Sequence, residues 1–274
     1  MPNKKVSVII PTMKGRESML KRLLSTIPDE FETIVVDDTD LLLAGKRNKG
    51  ARLAKGEYLL FIDDDNYLND KAIYRMVDRM AYNIGVMGMT ACYHNYDKVI
   101  ADGGSCRQYL TGFTKGLRTN ISIFETDHCL YEVDEVANAF MIPKVLFEFV
   151  GCLDEYNFPI DLDEADICKR IKDIGYKVVM NPLAICYHES QTYNGIPDFR
   201  RPMNAYFMAR NKILFQKKHL NLFSYMIYLA LFLPITVCGY GVCLIYKRKP
   251  MMFLHYLKGT LDGLLGSYKN KYQS

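Results

Sequence analysis

Residues 56–68 read GEYLLFIDDDNYL. Five largely apolar residues, Tyr58-Leu59-Leu60-Phe61-Ile62, run straight into Asp63-Asp64-Asp65. An apolar run of this length predicts a buried strand. Three like charges at its end are costly to pack unless a cation meets them. Asp63 and Asp65 are two apart, so on an extended chain they project to the same side. A hard divalent cation takes such oxygen ligands, often one or two carboxylates completed by substrate phosphates. The competing reading is a solvated acidic turn that caps the following helix.

The same pattern recurs on either side. VSVII (6–10) is a short strand and GRESMLKRLLSTI (15–27) has helical spacing. FETIVVDD (31–38) is a second strand that ends in carboxylates, Asp37-Asp38. GKRNKGARLAKG (45–56) is a basic helix, DKAIYRMVDRMAYN (70–83) another helix, and IGVMGMTACY (84–93) a strand. This alternation predicts a doubly wound, mostly parallel α/β sheet. Ligands bind such sheets beyond the carboxyl ends of the strands, where both acidic clusters lie. Residues 94–135 are irregular, with edge strands and a loop. EVANAFMIPKVLFEFVGCLDE (135–155) resumes strand and helix. DEADICKRIKDIG (163–175) is a helix with Asp163 placed to cap it, Asp166 to close the capping turn and Gly175 to stop it. YKVVMNPLAICYHE (176–189) is a strand broken at proline.

Across the 274 residues, hydrophobic types make up 49%, which excludes a disordered chain. Net charge is +4, but residues 203–274 hold ten Lys/Arg and one acid, leaving 25 basic and 30 acidic residues before them. A basic tail fits an anionic surface. Residues 220–246 carry no charge, and KKH precedes and KRK follows them. That exceeds the ~20 residues that span a bilayer. Basic flanks on both sides leave orientation open. Pro234, Gly239 and Gly241 favour a bent or re-entrant path with both ends cytoplasmic over a single span. Non-helical backbone at depth needs protein shielding, which suggests a homo-oligomer or a very short bend. MMFLHYLKGTLDGLLGSY (251–268) is then an interfacial amphipathic helix. Two domains are expected, 1–205 catalytic and 206–274 basic and membrane-associated. The eight cysteines show no CxxC or zinc spacing, which fits reduced thiols in the cytosol. The start MPNKKVSVII holds no signal-peptide core.

No GxGxxG follows the first strand and no GxxxxGK[ST] occurs, against a dinucleotide dehydrogenase or P-loop NTPase. Asp38 is placed to bond a base or ribose, or is a loop acid. Lys46, Arg47, Asn48, Lys49 and Arg52 suit a diphosphate, or form a solvated face. Glu164, lining a pocket, can take a proton from a hydroxyl, with Asp163 raising the pKa of the pair; simple capping is the alternative. His188 ends a strand, as a structural residue or a metal neighbour.

VSVIIPTMKGRESMLKRLL, TIVVDDTD, RNKGARLAKGEYLLFIDDD, DEADICKRIKDIGYKVVMNPLAICYHE and ARNKILFQKKH stand in the order of the family 2 glycosyltransferases of the GT-A fold. Over residues 5–218 the chain resembles most the rhamnosyltransferase-like, polyprenyl- or dolichyl-linked branch. The resemblance implies that Thr12 and Arg16 contact the nucleotide, with Arg47, Asn48 and Asp64 nearby, and that Asp38 binds the base. It implies Asp63 near the ribose and Asp65 on Mn2+ or Mg2+, with His188 close to the metal and diphosphate. Glu164 matches the inverting general base, although the chain reads Asp163-Glu164 where the family reads Glu-Asp, so Asp163 stays a candidate. Arg210-Asn211-Lys212 matches a cationic segment near donor and membrane. QxxRW is absent and the chain has no Trp, which implies a single sugar transfer. The implied partners are a nucleoside-diphosphate sugar and a lipid-linked or glycan acceptor at a membrane, with the catalytic domain cytoplasmic and no nucleic acid. A nucleotide-sugar-binding protein without turnover and a nucleotidyltransferase are the alternatives.

Overall fold

A computed structural model of the chain describes residues 6–94, 96–189 and 202–266. They fall into two units. In the first, strand and helix alternate as β1 (Val6–Pro11), α1 (Glu17–Leu24), β2 (Glu32–Val36), α2 (Leu43–Leu53), β3 (Tyr58–Ile62), β4 (Asn66–Leu68), α3 (Ala72–Arg79) and β5 (Ile84–Tyr93). The irregular middle contains β6 (Tyr96–Asp102), β7 (Ser105–Gln108), β8 (Phe113–Gly116) and β9 (Tyr131–Glu132). Then come β10 (Ala139–Pro143), α4 (Lys144–Phe149), α5 (Asp163–Asp173) and β11 (Lys177–His188).

The sheet runs β2-β1-β3-β10-β5-β11-β4. β1 is parallel to β2 and β3, and β5 is parallel to β11. β10 is antiparallel to both its neighbours, β3 and β5, so it lies reversed inside an otherwise parallel core. Alternate residues feed two packed faces, as strands covered on both sides require. Val8, Ile10, Leu60, Ile62, Met87 and Met141 meet α1 and α3 through Leu23, Ile73 and Met76. Ile9, Leu59, Phe61, Val86, Phe140 and Ile142 meet α2 and α5 through Ala44, Ala51, Ile167 and Ile171. α2 comes so near β1 that a Cβ at Gly50 would overlap Ile9 Cγ2.

β11 stays in the sheet past Pro182 through a register shift between Asn181 and Ile185. Its end then pairs antiparallel with β4, setting His188 opposite Asn66, directly after the three aspartates. Gly175 closes α5 with φ +92°, the left-handed stop expected of it. In α5, guanidinium partners hold the two buried carboxylates: Arg47 donates to Asp163 and Arg170 to Asp166.

The second unit gathers Arg107–Thr114 and Tyr156–Leu162 with the helices that follow. These are α6 (Pro202–His219), α7 (Leu222–Ile227), a π-helical turn (Tyr228–Phe232), α8 (Leu233–Tyr246) and α9 (Pro250–Leu265). α6 and α9 pack backbone to backbone: a Cβ on Gly259 would overlap the Tyr206 carbonyl oxygen, and one on Gly263 would lie 3.0 Å from the Arg210 oxygen. Tyr206 donates to Asp262 Oδ2 at 2.7 Å across this contact.

Among the described residues one helix, Leu222–Tyr246, is long and apolar enough to cross a membrane. At 1.5 Å per residue its 25 residues reach about 37 Å. The bend expected near Pro234 is absorbed by the π turn just before it, and no hairpin interrupts the helix. Leu222, Phe223, Met226, Leu231, Ile235, Val242 and Ile245 along it are exposed. The helix expected over 251–268 is α9; the last positions of that range lie outside the described residues. α9 keeps Met251, Leu254, Leu261 and Leu265 exposed opposite the face it packs on α6.

Candidate active site

The strand ends of the first unit converge on one guanidinium. Arg47, on α2, has no solvent exposure. Its Nη1 donates to Asp163 Oδ2 and Glu164 Oε1, each at 2.7 Å, and its Nη2 to Asp63 Oδ1 at 2.7 Å. One cation thus ties the end of β3 to the first turn of α5. Burial alone would lower its pKa, but Glu164, Asp63 and Asp163 together hold it well above the ordinary value.

The two neighbouring acids of α5 differ sharply. Asp163 is fully enclosed, and its Oδ1 meets no donor. Burial first, and then the adjacent Glu164 charge, push it well above the carboxylate range. Burial pushes Glu164 up too, but Arg47 and a hydrogen bond from Asp163 outweigh it and hold it below its ordinary value. The proton shared by the pair therefore favours Asp163 over Glu164. The Glu164 side chain is 15% exposed, so it also faces out of the cluster.

Asp63-Asp64-Asp65 forms a turn closed by Asn66 N–H on Asp63 O at 3.1 Å. The same-side projection expected of an extended chain is therefore absent. Asp63 faces Arg47, and Asp65 faces Arg16 at 3.2 Å and His188 Nε2 at 3.5 Å. Asp64 turns inward, accepting from Thr12 Oγ1 at 2.6 Å and pairing with Arg16. Burial raises Asp64 despite these two donors, and raises Asp63 despite Arg47. The His188 ring Nδ1 is buried without a partner.

A divalent cation fits this corner in part. Among the described residues no cluster of three or more His, Cys, Asp or Glu could hold a metal alone. Asp65 and His188 supply two suitable donors, and the orphaned imidazole nitrogen marks His188 as short of a partner. A cation here would need further oxygens from a ligand, as small hard cations commonly do.

The α2 cations expected to face a diphosphate are engaged elsewhere. Lys46 Nζ donates to the Thr12 carbonyl at 2.6 Å. Asn48 fixes Leu153 and Glu155. Lys49 holds Asp38 at 2.7 Å, which with the Asp40 N–H keeps Asp38 below its ordinary pKa. Arg210 is buried, with Nη1 on the Asn157 carbonyl at 2.7 Å, and Asn211 donates to Ile160 O and Asp161 O. These two residues clamp a loop in which Asp161 and Leu162 have φ of 68° and 66°. A non-glycine residue in that region costs about 1–3 kcal/mol, so the clamp offsets real strain. Asp102, at the end of β6, was not legible as a site residue. It is raised by burial, with His188 lowering and Glu164 raising it further, and its only sequence signal is the glycine pair after it.

Residues 39–130 match the family model "Glycosyl transferase family 2". The matched segment spans α2, the three aspartates and Asp102; α5 and His188 lie beyond it. Over 78 residues the chain is 32% identical to the poly(ribitol-phosphate) beta-glucosyltransferase of Bacillus spizizenii, covering 27% of this chain and 12% of that protein. It thus spans about an eighth of that curated relative's length. GalNAc-T7, solved with UDP, GalNAc and Mn2+, superposes with a TM-score of 0.64 at 15% identity, over 97% of this chain and 57% of the other. A mannosyltransferase from Pyrobaculum calidifontis, solved with GDP-Man and Mn2+, gives 0.55 at 12%, over 96% and 88%. At these identities the likeness is one of fold: the family 2 match sits within a GT-A architecture.

Proposed function

We propose that the protein is a metal-dependent glycosyltransferase that moves one sugar from a nucleoside-diphosphate sugar, with inversion, to a lipid-linked acceptor at a membrane. The observation that carries this reading is the Arg47 cluster. It places a solvent-reaching ionised carboxylate, Glu164, in one charge network with Asp63 at the end of β3. Glu164 takes the proton of the attacking hydroxyl, whose oxygen bonds the anomeric carbon on the face opposite the departing nucleoside diphosphate. Asp163, protonated, donates to Glu164 and keeps it ionised. Arg47 holds both in place. Asp65 and His188 would hold Mn2+ or Mg2+, which supplies charge compensation for the leaving diphosphate. The family 2 match and the GT-A fold support this chemistry, and the Mn2+ complexes of GalNAc-T7 and the Pyrobaculum enzyme support the cation.

The membrane part rests on the exposed apolar residues of Leu222–Tyr246 and of α9, which water leaves unsolvated. We place the catalytic unit on the cytoplasmic side. A thermal-shift panel of UDP-, GDP- and dTDP-sugars with Mg2+ or Mn2+ finds the donor, since a true ligand raises stability by mass action. Product analysis then tests the reaction. Released nucleoside diphosphate is expected; released pyrophosphate would mean nucleotidyl transfer, and binding without release would mean a receptor. Active full-length protein in the soluble fraction without detergent would end the membrane reading.

A further inference from the structure

Within the second unit, the helix Leu222–Tyr246 is bracketed by two sharp reversals. α6 ends at His219, and the chain turns back at Asn221, whose side chain accepts from the Ser224 N–H at 2.9 Å and caps the new helix. At the far end the Arg248 N–H meets the Ile245 carbonyl at 2.9 Å and the Lys249 N–H meets the Leu244 carbonyl at 2.8 Å. Arg248 is left-handed there, with φ 56°. This is a Schellman closure, and it sends α9 back along the helix the chain has just left. Toward one end of the long helix, Tyr228 and Leu233 pack with Ile213 of α6. Toward the other, Leu244 packs with Ala205 and Ala209 of α6 and with Tyr256 of α9. α6 therefore runs antiparallel beside the long helix, whose middle lies level with Arg210–Gln216.

This packing is incompatible with a crossing. If Leu222–Tyr246 spanned a bilayer, Arg210–Gln216 would sit near its midplane. At that level α6 holds non-helical chain. Arg210 donates to the Asn157 carbonyl, Asn211 to those of Ile160 and Asp161, and Gln216 to that of Tyr109. Neither 107–114 nor 156–162 is helical, and Gln108, Thr114 and Tyr156 within them are exposed. Hydrocarbon does not tolerate hairpin tips and loops open to lipid, because their peptide groups find no partner there. The long helix nevertheless has a lipid-like face. Tyr228, Leu233, Thr236, Gly241 and Leu244 are buried along one side. Leu231, Ile235, Val242 and Ile245 are exposed along the other, at helical spacing. Both reversals are basic, Lys217-Lys218 and Lys247-Arg248-Lys249. From residue 203 onward the one acid in the sequence is Asp262, which the Tyr206 hydroxyl engages.

We propose that Leu222–Tyr246 and α9 lie flat in one leaflet of an anionic phospholipid bilayer and that neither crosses it. The exposed apolar stripes enter the boundary between headgroups and acyl chains, as helices lying in an interface do. The two basic reversals then meet anionic headgroups on the same side of the membrane, so the charge of this region complements its partner at both ends of the long helix. A crossing would instead put one basic reversal on each side. The surface rests on the membrane part of the reading above and does not depend on glycosyl transfer.

The test dilutes the full chain out of detergent onto sealed vesicles of phosphatidylcholine, with or without phosphatidylglycerol, and reads binding by flotation. A membrane-impermeant amine-acylating reagent is then added outside the floated vesicles. Peptide mass spectrometry follows Lys217, Lys218, Lys247 and Lys249 before and after lysis, with no substitution in the chain. Both reversals are expected to react as fully on intact vesicles as on lysed ones. Lysines of either reversal that react only after lysis overturn the proposal and leave the membrane reading standing. A chain that floats on neither vesicle ends both. Replacing Lys247, Arg248 and Lys249 together by Gln should weaken binding to the phosphatidylglycerol vesicles by about 10²-fold, roughly fivefold per basic residue, and leave binding to phosphatidylcholine unchanged. Equal binding by this variant and the parent, or an equal loss on both vesicles, overturns the anionic partner. Ile235→Glu with Val242→Glu, at two exposed positions, should release the chain from both vesicles while keeping the melting midpoint in detergent. Undiminished flotation of that variant overturns the assigned face.

Discussion

Arg47 Nη1 donates to Asp163 Oδ2 at 2.7 Å, and neither side chain has any solvent exposure. Arg47 also holds Glu164 and Asp63, and removing it strands those charges without a counter-charge. Arg47→Met should therefore lower unfolding free energy by about 3–5 kcal/mol, read by urea titration. Arg47→Lys should lie between, because an ammonium cannot fork to three carboxylates. An Arg47→Met protein as stable as the parent would show that the three acids shed their charges without cost.

Asp163 and Glu164 should separate by function. Glu164→Gln should keep donor affinity and lower turnover by roughly 10²-fold or more. Asp163→Asn should retain most activity, because an amide can still donate to Glu164 and accept from Arg47. If Asp163→Asn is the crippled variant, the roles are reversed.

The same pair sets a pH dependence of stability. Asp163 is raised in the folded chain, so above about pH 4, where an unfolded aspartate ionises, the folded state binds the extra proton. Stability contributed by that proton is complete below the unfolded pKa and is lost as pH rises toward the folded one. Glu164, which is lowered, acts in the opposite sense and only below about pH 4.5. Asp163→Asn should therefore flatten the decline in melting temperature from pH 5 upward. A parallel slope in parent and variant would contradict the assignment.

Asp65→Ala should abolish the metal-dependent part of donor binding while the melting transition stays cooperative, because Asp65 faces Arg16 and His188 and anchors no core packing. Calorimetric titration of donor with and without Mn2+ reads this directly. Full activity in excess chelator would remove the cation from the mechanism.

Gly259→Ala should drive α6 and α9 apart, since the new Cβ meets a backbone oxygen that cannot rotate away. Overpacking of this kind costs about 1–3 kcal/mol. Limited proteolysis should cut the variant beyond Pro202 sooner than the parent, and equal cleavage rates would show that the helices do not depend on this contact.

The alternation of strand and helix was legible because periodicity is a local property. IGVMGMTACY reads as a strand and forms β5 over those same residues. The reversed β10 was not legible, since AFMIP has the same pattern whichever way it runs. At the site, sequence singled out Asp63, Asp163 and Glu164 but not the one cation that joins them. Arg47 reads as one basic residue of a charged helix. That it meets Asp163, 116 positions away, is set by the packing of α2 and α5 on one face of the sheet. The loop contacts of Arg210 and Asn211 were not legible for a similar reason: the strained loop they hold has left-handed residues, Asp161 and Leu162, and no glycine to announce them.

The reversed β10 also shapes how the chain must be made. β3 is complete at Ile62, yet the strand that covers its free edge begins only at Ala139. β1, β2 and β3 pair among themselves as soon as they leave the ribosome. The Leu59–Ile62 edge then stands open until β10 arrives, about 4–15 s later at roughly 5–20 residues per second. An apolar open edge is a template for wrong pairing. Nascent-chain lengths between about 100 and 175 residues, which leave β10 unmade or still inside the exit tunnel, are where chaperone capture of this protein should peak.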